Sequence, residues 1–327
     1  MNGPVEIRGR GLAASCCAYL LRREGVPVSR VRATRPAVPA IVVSLATQEL
    51  IAGVFQQPNL FQGFRRIERR VVAWGNRADV ELPHAAVVLA EEELLARVEA
   101  LADGVVAEPA VWTVFGARPL PEPASEQRLG SRQAWAAAVE LQEPETATCW
   151  IESLECGWVF LIPGWLIAVG GAPETLLAGS RVVAAQIRGL RGESAQFPAY
   201  PRIADPLAGP GWLACGAAAM AFDPICGDGA GNSVREAILA AAVIRAATRG
   251  EPAERLIEHY RSRLIAGFRR HLELSLQFYR AAQGGPWWER EIQAMERGLA
   301  WCAGQLADAP AFRYRLEGFD LLPVIGR

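Results

Sequence analysis

Residues 222–231 hold the densest group of residues that could bind a ligand. Their sequence is Phe-Asp-Pro-Ile-Cys-Gly-Asp-Gly-Ala-Gly, and a long apolar stretch that predicts a helix follows. Glycine lets backbone N–H groups approach a ligand closely, and the first turn of a helix carries a partial positive charge. An anion or an electron-rich oxygen atom is the natural occupant of such a site. The candidate binding residues are Asp223, Pro224, Gly227, Asp228, Gly229, Ala230, Gly231 and Asn232.

Another glycine turn, earlier in the chain, lies near the N-terminus. Residues 5–8 predict a strand, a Gly-x-Gly-x-x-Ala turn follows, and residues 12–24 and 26–33 predict a helix and a second strand. This order is the opening of a dinucleotide-binding βαβ unit. A plain strand-to-helix turn that uses two glycines would show the same spacing. The candidate binding residues are Gly9, Gly11, Leu12, Ala13 and Ala14.

Short β-rich runs separated by turn residues fill the middle of the chain. Together with the alternating apolar and arginine pattern of residues 64–74, they predict the antiparallel sheet of a second domain. Residues 174–190 predict a helix. The β-rich runs are residues 135–141, 147–151, 158–162 and 166–169.

The elements around residues 222–231 can also be predicted. Residues 211–215 predict a strand that leads to the glycines, and Ser233 with Glu236 matches a capping box that starts a helix over 234–248. A further helix follows Gly250, with one broad apolar face that packs against the body. The residues of that face are Leu256, Tyr260, Leu264, Phe268, Leu272 and Leu276.

Composition excludes several classes of function. The net charge of −1 argues against a nucleic-acid binder. All 34 basic residues are arginine, so no lysine is present to form a Schiff base. The seven cysteines form no Cys-x-x-Cys and the three histidines are far apart in sequence, so we expect no metal site. We see no signal peptide and no apolar run long enough to span a membrane, and we expect a cytoplasmic protein.

These motifs, in this order, resemble the flavoprotein superfamily of p-hydroxybenzoate hydroxylase, geranylgeranyl reductase and the flavin-dependent tryptophan halogenases. Residues 5–33 are similar to the FAD-binding βαβ unit of that family, and residues 211–239 to its second flavin motif. Residues 157–163 are similar to an apolar strand that ends in proline in the substrate domain. The tail, residues 260–288, is similar to relatives that modify tryptophan during maturation of protein-derived quinone cofactors.

The resemblance implies an α/β fold: a Rossmann-like FAD-binding domain with a central parallel sheet, an inserted antiparallel-sheet substrate domain and a helical C-terminus. The discontinuous FAD-binding domain would comprise residues 1–63, 76–118 and 200–250. The substrate domain would comprise residues 64–75 and 119–199, and the helical region residues 251–327.

The implied function is that of an FAD-dependent oxidoreductase, a monooxygenase acting on an aromatic small molecule or on a Trp or Tyr side chain of a protein or peptide. One alternative is a geranylgeranyl-reductase-like alkene reductase. Another is a degenerate flavoprotein fold that serves as a non-catalytic maturation or binding partner. Because no separate NAD(P)H-binding unit is recognisable, the reductant would be NAD(P)H bound transiently or another external donor.

The resemblance also assigns roles to residues. Gly9, Gly11 and Ala14 would border the FAD pyrophosphate, the 227–230 segment would lie beside the isoalloxazine ring, and the helix opening at Asn232 and Ser233 would point its N–H groups at the N1–C2=O edge of the ring. That contact would stabilise the reduced flavin by roughly 0.3–2 kcal/mol.

Two departures from the family pattern predict weak FAD binding. Arg32 stands where a glutamate usually binds the adenosine ribose, and Ala217, after Gly216, stands where an aspartate usually binds the ribityl region. Each lost charged hydrogen bond weakens binding by roughly 1.5–3 kcal/mol. An arginine at that strand end could instead bind the 2′-phosphate of NADP, but residues 223–229 have no counterpart in a simple NADP enzyme.

Other side chains are assigned mainly structural roles. We expect Asp228 to shape a turn rather than donate a proton, and Cys226 to be a small buried thiol. We expect Trp158, Trp287 and Trp288 each to pack in the core, although the pair Trp287-Trp288, beside a flexible glycine loop, could line an aromatic pocket. We expect His259 and His271 to be solvated or to have capping roles. Glu152 and Glu155 predict a solvated carboxylate pair. No catalytic residue can be named from the sequence.

Overall fold

The structure is a computed structural model that describes residues 3–33, 38–102, 109–307 and 313–324, so the predicted domain limits at residues 1 and 327 lie outside it. The described residues form eighteen strands and seven α-helices. The strands are β1 (Val5–Arg8), β2 (Val28–Val31), β3 (Ile41–Ser44), β4 (Arg65–Ala73), β5 (Val80–Leu89), β6 (Trp112–Phe115), β7 (Ser125–Arg128), β8 (Gln133–Leu141), β9 (Thr148–Leu154), β10 (Gly157–Ile162), β11 (Trp165–Val169), β12 (Ile187–Pro198), β13 (Arg202–Asp205), β14 (Ala208–Gly209), β15 (Trp212–Ala214), β16 (Met220–Ala221), β17 (Tyr314–Glu317) and β18 (Asp320–Pro323). The helices are α1 (Leu12–Arg23), α2 (Leu45–Phe55), α3 (Glu91–Glu99), α4 (Pro173–Ala178), α5 (Gly229–Thr248), α6 (Ala253–Arg280) and α7 (Pro286–Ala307).

A five-stranded sheet of order β14-β15-β6-β1-β2 forms one layer. The strands β15, β6, β1 and β2 run parallel, and β14 pairs antiparallel with β15. In β1 the apolar residues Val5 and Ile7 are fully buried, as expected for a central strand with both faces covered. The predicted strand, glycine turn, helix and strand at the N-terminus are confirmed.

Two helices pack together near the glycine turns, and α1 also contacts β1 and β2 of this sheet. The short helix α1 is buried along nearly its whole length, and the alanine-rich α5 packs between α1 and α6. Because neighbours surround α5, it has no broad polar face. Small side chains let these helices approach the strands that carry the two glycine bends.

An eight-stranded sheet of order β12-β8-β11-β10-β9-β4-β5-β3 forms the second layer. All its neighbouring pairs are antiparallel except β4 with β9. The β-rich runs and residues 64–74 are therefore strands of one sheet, as predicted, and this sheet is antiparallel except where β4 joins β9. The division into domains stays a prediction. However, β3 and β5, which the sequence assigned to the FAD-binding domain, are hydrogen-bonded into this larger sheet.

The prediction of a helix over 174–190 is wrong. Within this range α4 and a single 3-10 turn at Ala184–Gln186 are helical, and β12 begins at Ile187 and pairs with β8. The carboxylate of Glu152 accepts hydrogen bonds from the backbone N–H groups of Arg181, Val182 and Val183 at 2.9–3.0 Å, which fixes a non-helical turn. The prediction that Glu152 is solvated is also wrong, because this side chain is buried.

The C-terminal region is helical, as predicted. Helices α6 and α7 pack together, and α6 also contacts α5. The predicted apolar face of α6 is buried at every position. Among the described helices, none is both long and apolar enough to cross a bilayer.

Candidate functional site

The first glycine bend joins β1 to α1 and lies against the end of β6. Gly9 and Gly11 have φ angles of +135° and +133°, which residues with a Cβ rarely adopt. A Cβ on Gly9 would lie 2.9 Å from backbone atoms of Gly116 and Ala117. This close approach of two backbones brings the start of α1 to the edge where the parallel strands β1 and β6 end.

The second glycine bend follows β15 and contacts the first. Gly216 has a φ of +58°, and a Cβ placed on it would lie 2.7 Å from the Cβ of Ala13 in α1. The backbone N–H of Gly216 donates to the buried carboxylate of Glu236 at 2.7 Å. Two bends that are far apart in sequence therefore meet in space.

A cavity of about 350 Å³ opens where the two bends meet. Its walls are mainly backbone and apolar side chains, with Arg10 and Glu91 as the charged residues among the described lining. The predicted site residues that line it are Gly11, Leu12, Ala13, Ala14, Gly216, Gly229 and Ala230, together with Ala217.

The remaining predicted site residues lie around the cavity without lining it. Gly9 is part of the first bend but is not in the described lining. Arg32 is exposed at the end of β2 and is not part of the described lining. The others belong to the segment before α5 or to its first turns, and they are Asp223, Pro224, Gly227, Asp228, Gly231 and Asn232.

The segment after β16 leads into α5 earlier than predicted. The helix begins at Gly229, so Ser233 lies inside it and the predicted capping box does not form. The N–H of Asn232 donates to the carbonyl of Asp228 at 3.0 Å, within the helix. The N–H groups without an acceptor inside α5 are therefore those of Gly229, Ala230 and Gly231, and not those of Asn232 and Ser233. Glu236, the predicted partner of the Ser233 cap, instead accepts a hydrogen bond from the N–H of Gly216.

Both helices start in a way that suits an anion. Neither α1 nor α5 has an acidic residue in its first turn or a side-chain hydrogen bond that caps it. Unpaired N–H groups and the helix dipole both favour negative charge at such a position. Beside Gly229 there is open space, since a Cβ built there would meet no atom within 4 Å. The cavity therefore fits a phosphate-bearing cofactor with an electron-rich ring.

Asp228 shapes the approach to α5. Its carboxylate accepts hydrogen bonds from the hydroxyl of Thr47 at 2.7 Å and from the guanidinium of Arg235 at 2.6 Å. With both oxygens engaged, Asp228 has the turn-forming position predicted for it. Thr47 and Arg235 were not predicted as parts of this arrangement.

Asp223 has a structural role in the segment between β16 and α5. Its carboxylate caps the turn at Pro224–Cys226 by accepting from the N–H of Ile225 at 2.9 Å, and it also pairs with Arg132. Arg132 in turn donates to Glu291 of α7 at 2.9 Å. All three charged side chains are buried. This ion network ties the loop before α5 to β8 and to the C-terminal helices.

His271 belongs to the same network, which corrects the prediction of a solvated or capping position for the two histidines of α6. His271 and His259 are both buried. The Nε2 atom of His271 accepts from the N–H of Asp223 at 2.8 Å, and burial lowers the pKa of His271 to about 4. His271 lies three residues after Phe268 on the apolar face of α6, a spacing that could have indicated its burial.

The tryptophans pack as a cluster rather than around an open pocket. Trp158 and Trp288 are buried, as predicted, and Trp287 is half-buried in the first turn of α7. Tyr279 contacts both neighbouring indoles, with ring centroids 5.0 Å from Trp288 and 6.0 Å from Trp287. The guanidinium of Arg132 lies 4.8 Å from the centre of the Tyr279 ring, so the cluster adjoins the ion network.

Comparison with known structures shows what this fold is similar to. The peptidyl tryptophan dihydroxylase QhpG, essential for tryptophylquinone cofactor biogenesis, is 21% identical, with 99% of this chain and 86% of that protein covered and a TM-score of 0.72. A flavin-dependent brominase is 17% identical, with coverages of 90% and 89% and a TM-score of 0.69. The p-nitrophenol 4-monooxygenase PnpA from Pseudomonas putida DLL-E4 is 13% identical, with coverages of 94% and 97% and a TM-score of 0.69.

These likenesses confirm the predicted fold class, a mixed α/β fold with a helical C-terminal region. At these identities they concern the fold alone. No protein-family model matches the chain, and no curated protein matches its sequence.

Proposed function

We propose that this chain is an FAD-dependent monooxygenase that acts on an aromatic substrate. The observation that carries the proposal is the meeting of the two glycine bends, which opens the starts of α1 and α5 onto one cavity. A cavity with two such helix starts can hold a cofactor that has phosphates at one end and a redox-active ring at the other.

The residues of the cavity have separate tasks in this proposal. The backbone N–H groups at the start of α1, from Leu12 to Ala14, would bind the pyrophosphate. Those of Gly229 and Ala230 would face the electron-rich edge of the flavin. Bound there, the flavin would supply the oxygen-activating chemistry that hydroxylation of an aromatic ring requires. The apolar lining, including Leu95 and Phe222, would exclude water from the ring.

Ala217 supports a modest rather than a high affinity for FAD. It lines the cavity at the position where the family usually has an aspartate, and it offers no hydrogen bond. The exposed Arg32 cannot replace a glutamate that accepts from a ribose. We therefore propose that FAD is held mostly by backbone groups and is lost more easily than in relatives that have both acids.

The substrate we propose is an indole or phenol side chain within a peptide. The support is the likeness of the whole fold to a peptidyl tryptophan dihydroxylase and to a monooxygenase of p-nitrophenol. Electrons would come from an external donor, either NAD(P)H or a partner protein. We further propose that the parallel sheet and its helices form the cofactor-binding domain and that the larger sheet forms most of the substrate domain.

The test begins with titration of the purified protein by FAD and, in parallel, by FMN, followed by visible absorption and flavin fluorescence. We expect saturable binding of one FAD per chain and weaker binding of FMN, because FMN lacks the pyrophosphate-linked adenosine. The loaded protein is then reduced anaerobically and exposed to oxygen with a tryptophan-containing peptide. A mass increase of 16 or 32 Da in the peptide, as expected for one or two inserted oxygen atoms, would support the proposal. FAD binding without oxygen insertion into any aromatic peptide or phenol would favour the alkene reductase, and absence of flavin binding would favour the non-catalytic partner.

A further inference from the structure

A second cleft lies between α5 and α6, on the other side of the segment that carries Phe222. It has a volume of about 590 Å³, larger than the cavity between the glycine bends. We call it the α5–α6 cleft. Its lining includes three arginines and three leucines, which are Arg235, Arg263, Arg270, Leu264, Leu274 and Leu316.

The α5–α6 cleft adjoins the proposed flavin cavity. Met220 and Phe222 line both spaces. Asp228 lines the cleft, and the next residue, Gly229, lines the cavity. A molecule in the cleft would therefore lie next to the start of α5, where the proposed function puts the redox-active end of the cofactor.

The charges of the cleft favour an anionic ligand. Its described lining has three arginines and two carboxylates. One carboxylate, Asp228, already pairs with Arg235, and the other, Glu236, is buried and accepts a hydrogen bond from the N–H of Gly216 at 2.7 Å, so both are already engaged within the protein. Arg270 is exposed and makes no ion pair or hydrogen bond with any described residue. Its guanidinium is available to a carboxylate from outside.

The cleft also has an apolar component. Leu264 is buried in its floor, whereas Leu274 and Leu316 keep 44% and 41% of their surface exposed. Exposed leucines beside a guanidinium suit a ligand that has both acidic and apolar side chains. A free inorganic anion or a highly charged polymer would leave this apolar surface in water.

The length of the cleft favours a peptide over a single aromatic molecule. Its lining residues on α6 run from His259 to Leu274, which corresponds to about 22 Å along a helix axis. An extended chain advances about 3.3 Å per residue, so roughly seven residues would span this distance. A lone indole would cover only a fraction of it.

We propose that the α5–α6 cleft binds an acidic peptide segment and thereby delivers an aromatic side chain of that peptide to the neighbouring cavity. This inference rests on the proposed function, because it assigns the substrate class and the docking surface of the same enzyme. Arg270 binds a carboxylate of the peptide, and Leu274 and Leu316 contact its apolar side chains.

The test measures binding of labelled synthetic peptides by fluorescence anisotropy. One twelve-residue peptide has a single tryptophan among aspartates and glutamates, and a matched peptide has lysines in their place. The variants are Arg270→Ala and Arg270→Glu. The control is Arg269→Ala, because Arg269 is the exposed neighbour on α6, pairs with Glu273 at 2.9 Å and does not line the cleft.

We expect the acidic peptide to bind more tightly than the lysine peptide, with an affinity that falls as salt is added. Arg270→Ala should weaken binding about two- to fivefold, as for one exposed ion pair, and Arg270→Glu about tenfold. Arg269→Ala should change it less than about twofold, since that side chain faces away from the cleft.

Equal binding of both peptides, or unchanged binding in Arg270→Glu, would overturn the inference. FAD titration of the same variants separates the two proposals. If the wild-type protein and Arg270→Glu bind FAD equally but neither prefers the acidic peptide, only the docking surface is wrong. If the acidic peptide binds as expected while no flavin binds, the docking surface stands and the proposed oxidoreductase function fails.

Discussion

Substituting Gly216 by alanine should push the two glycine bends apart. The new Cβ would lie 2.7 Å from the Cβ of Ala13, whereas carbon atoms in contact normally lie about 3.5–4.0 Å apart. One bend must therefore move by about 1 Å. The φ of +58° adds a second cost, because only glycine adopts it without strain.

The magnitude follows from these two terms. The left-handed conformation costs a residue with a Cβ about 1–2 kcal/mol. Forcing one extra methyl group into a packed contact costs about 1–3 kcal/mol. Gly216→Ala should therefore lower the free energy of unfolding by about 2–5 kcal/mol, and displacement of the cavity wall should weaken FAD binding about tenfold or more.

Two further variants separate the cost of the positive φ angle from the cost of the steric contact with Ala13. Gly227 has a similar φ of +62°, but a Cβ there would meet no atom within 4 Å, so Gly227→Ala should cost only the conformational term of about 1–2 kcal/mol. Adding Ala13→Gly to Gly216→Ala removes the other methyl group. The double variant should be about 1–3 kcal/mol more stable than the sum of the two single losses, to which the glycine in α1 itself adds about 0.5–1 kcal/mol.

The measurements are chemical denaturation and fluorescence titration with FAD for all four proteins. If Gly216→Ala and Gly227→Ala lost the same stability, and Ala13→Gly restored nothing, the two bends would not be in contact in solution. The argument for a single shared cavity would then fail.

Three other substitutions test separate parts of the account. Ala217→Asp restores an acceptor in the cavity and should tighten FAD binding by about tenfold or more, as measured by titration, with an unchanged affinity counting against the assigned position. Burial raises the pKa of Glu236 from 4.5 to about 8, so between these values the folded protein keeps a proton that the unfolded chain has released. The free energy of unfolding should therefore fall as pH rises through this window, by up to roughly 1.4 kcal/mol per pH unit. In denaturation curves measured across the window, the stability of Glu236→Gln should fall less steeply with pH than that of the wild type. The same pH dependence in both proteins would contradict the raised pKa. Arg132→Met leaves the buried carboxylates of Asp223 and Glu291 without their cation and should cost about 3–5 kcal/mol. Arg188→Met, which breaks an exposed pair with Glu140 at 3.2 Å, should cost less than about 1 kcal/mol, and equal losses would show that the network is not buried.

The parts of the fold that follow from local pattern could be predicted. The order of strand, Gly9 and Gly11, helix and strand is set by residues close in sequence, as are the alternating strands of the larger sheet and the apolar face of α6. The class of fold follows from the order of these elements.

The parts that depend on contacts between distant residues could not be predicted. Ser233 and Glu236 have the spacing of a capping box, but Glu236 bonds Gly216 because the chain returns there only in three dimensions. The helix therefore starts at Gly229, although three glycines in or near its first turns disfavour a helix locally. Likewise, the carboxylate of Glu152 in β9 binds the backbone N–H groups that follow α4, and no pattern within 174–190 indicates this contact.

In the candidate site, too, residues in local motifs could be predicted and residues that meet only in the folded chain could not. Gly11 and Gly229 were identified from motifs, and both line the cavity. Arg132, Glu291 and His271 were missed as members of the network around Asp223, because a single charged residue just before β8 or within α7 has no periodic signal. Only His271 had one, through its spacing from the buried residues of α6.

The most direct test of the shared flavin cavity compares FAD binding in the wild-type protein and in Gly229→Glu. Open space surrounds Gly229, and an acid in the first turn of α5 is favourable for the helix by about 0.3–1 kcal/mol, so the variant should fold at least as stably as the wild type. Its carboxylate would occupy the cavity and repel the electron-rich edge of the flavin. We predict that the wild type binds one FAD per chain and that Gly229→Glu, although stable, binds FAD at least about tenfold more weakly. Equal FAD affinity in the two proteins, or no saturable binding by the wild type, would contradict the account.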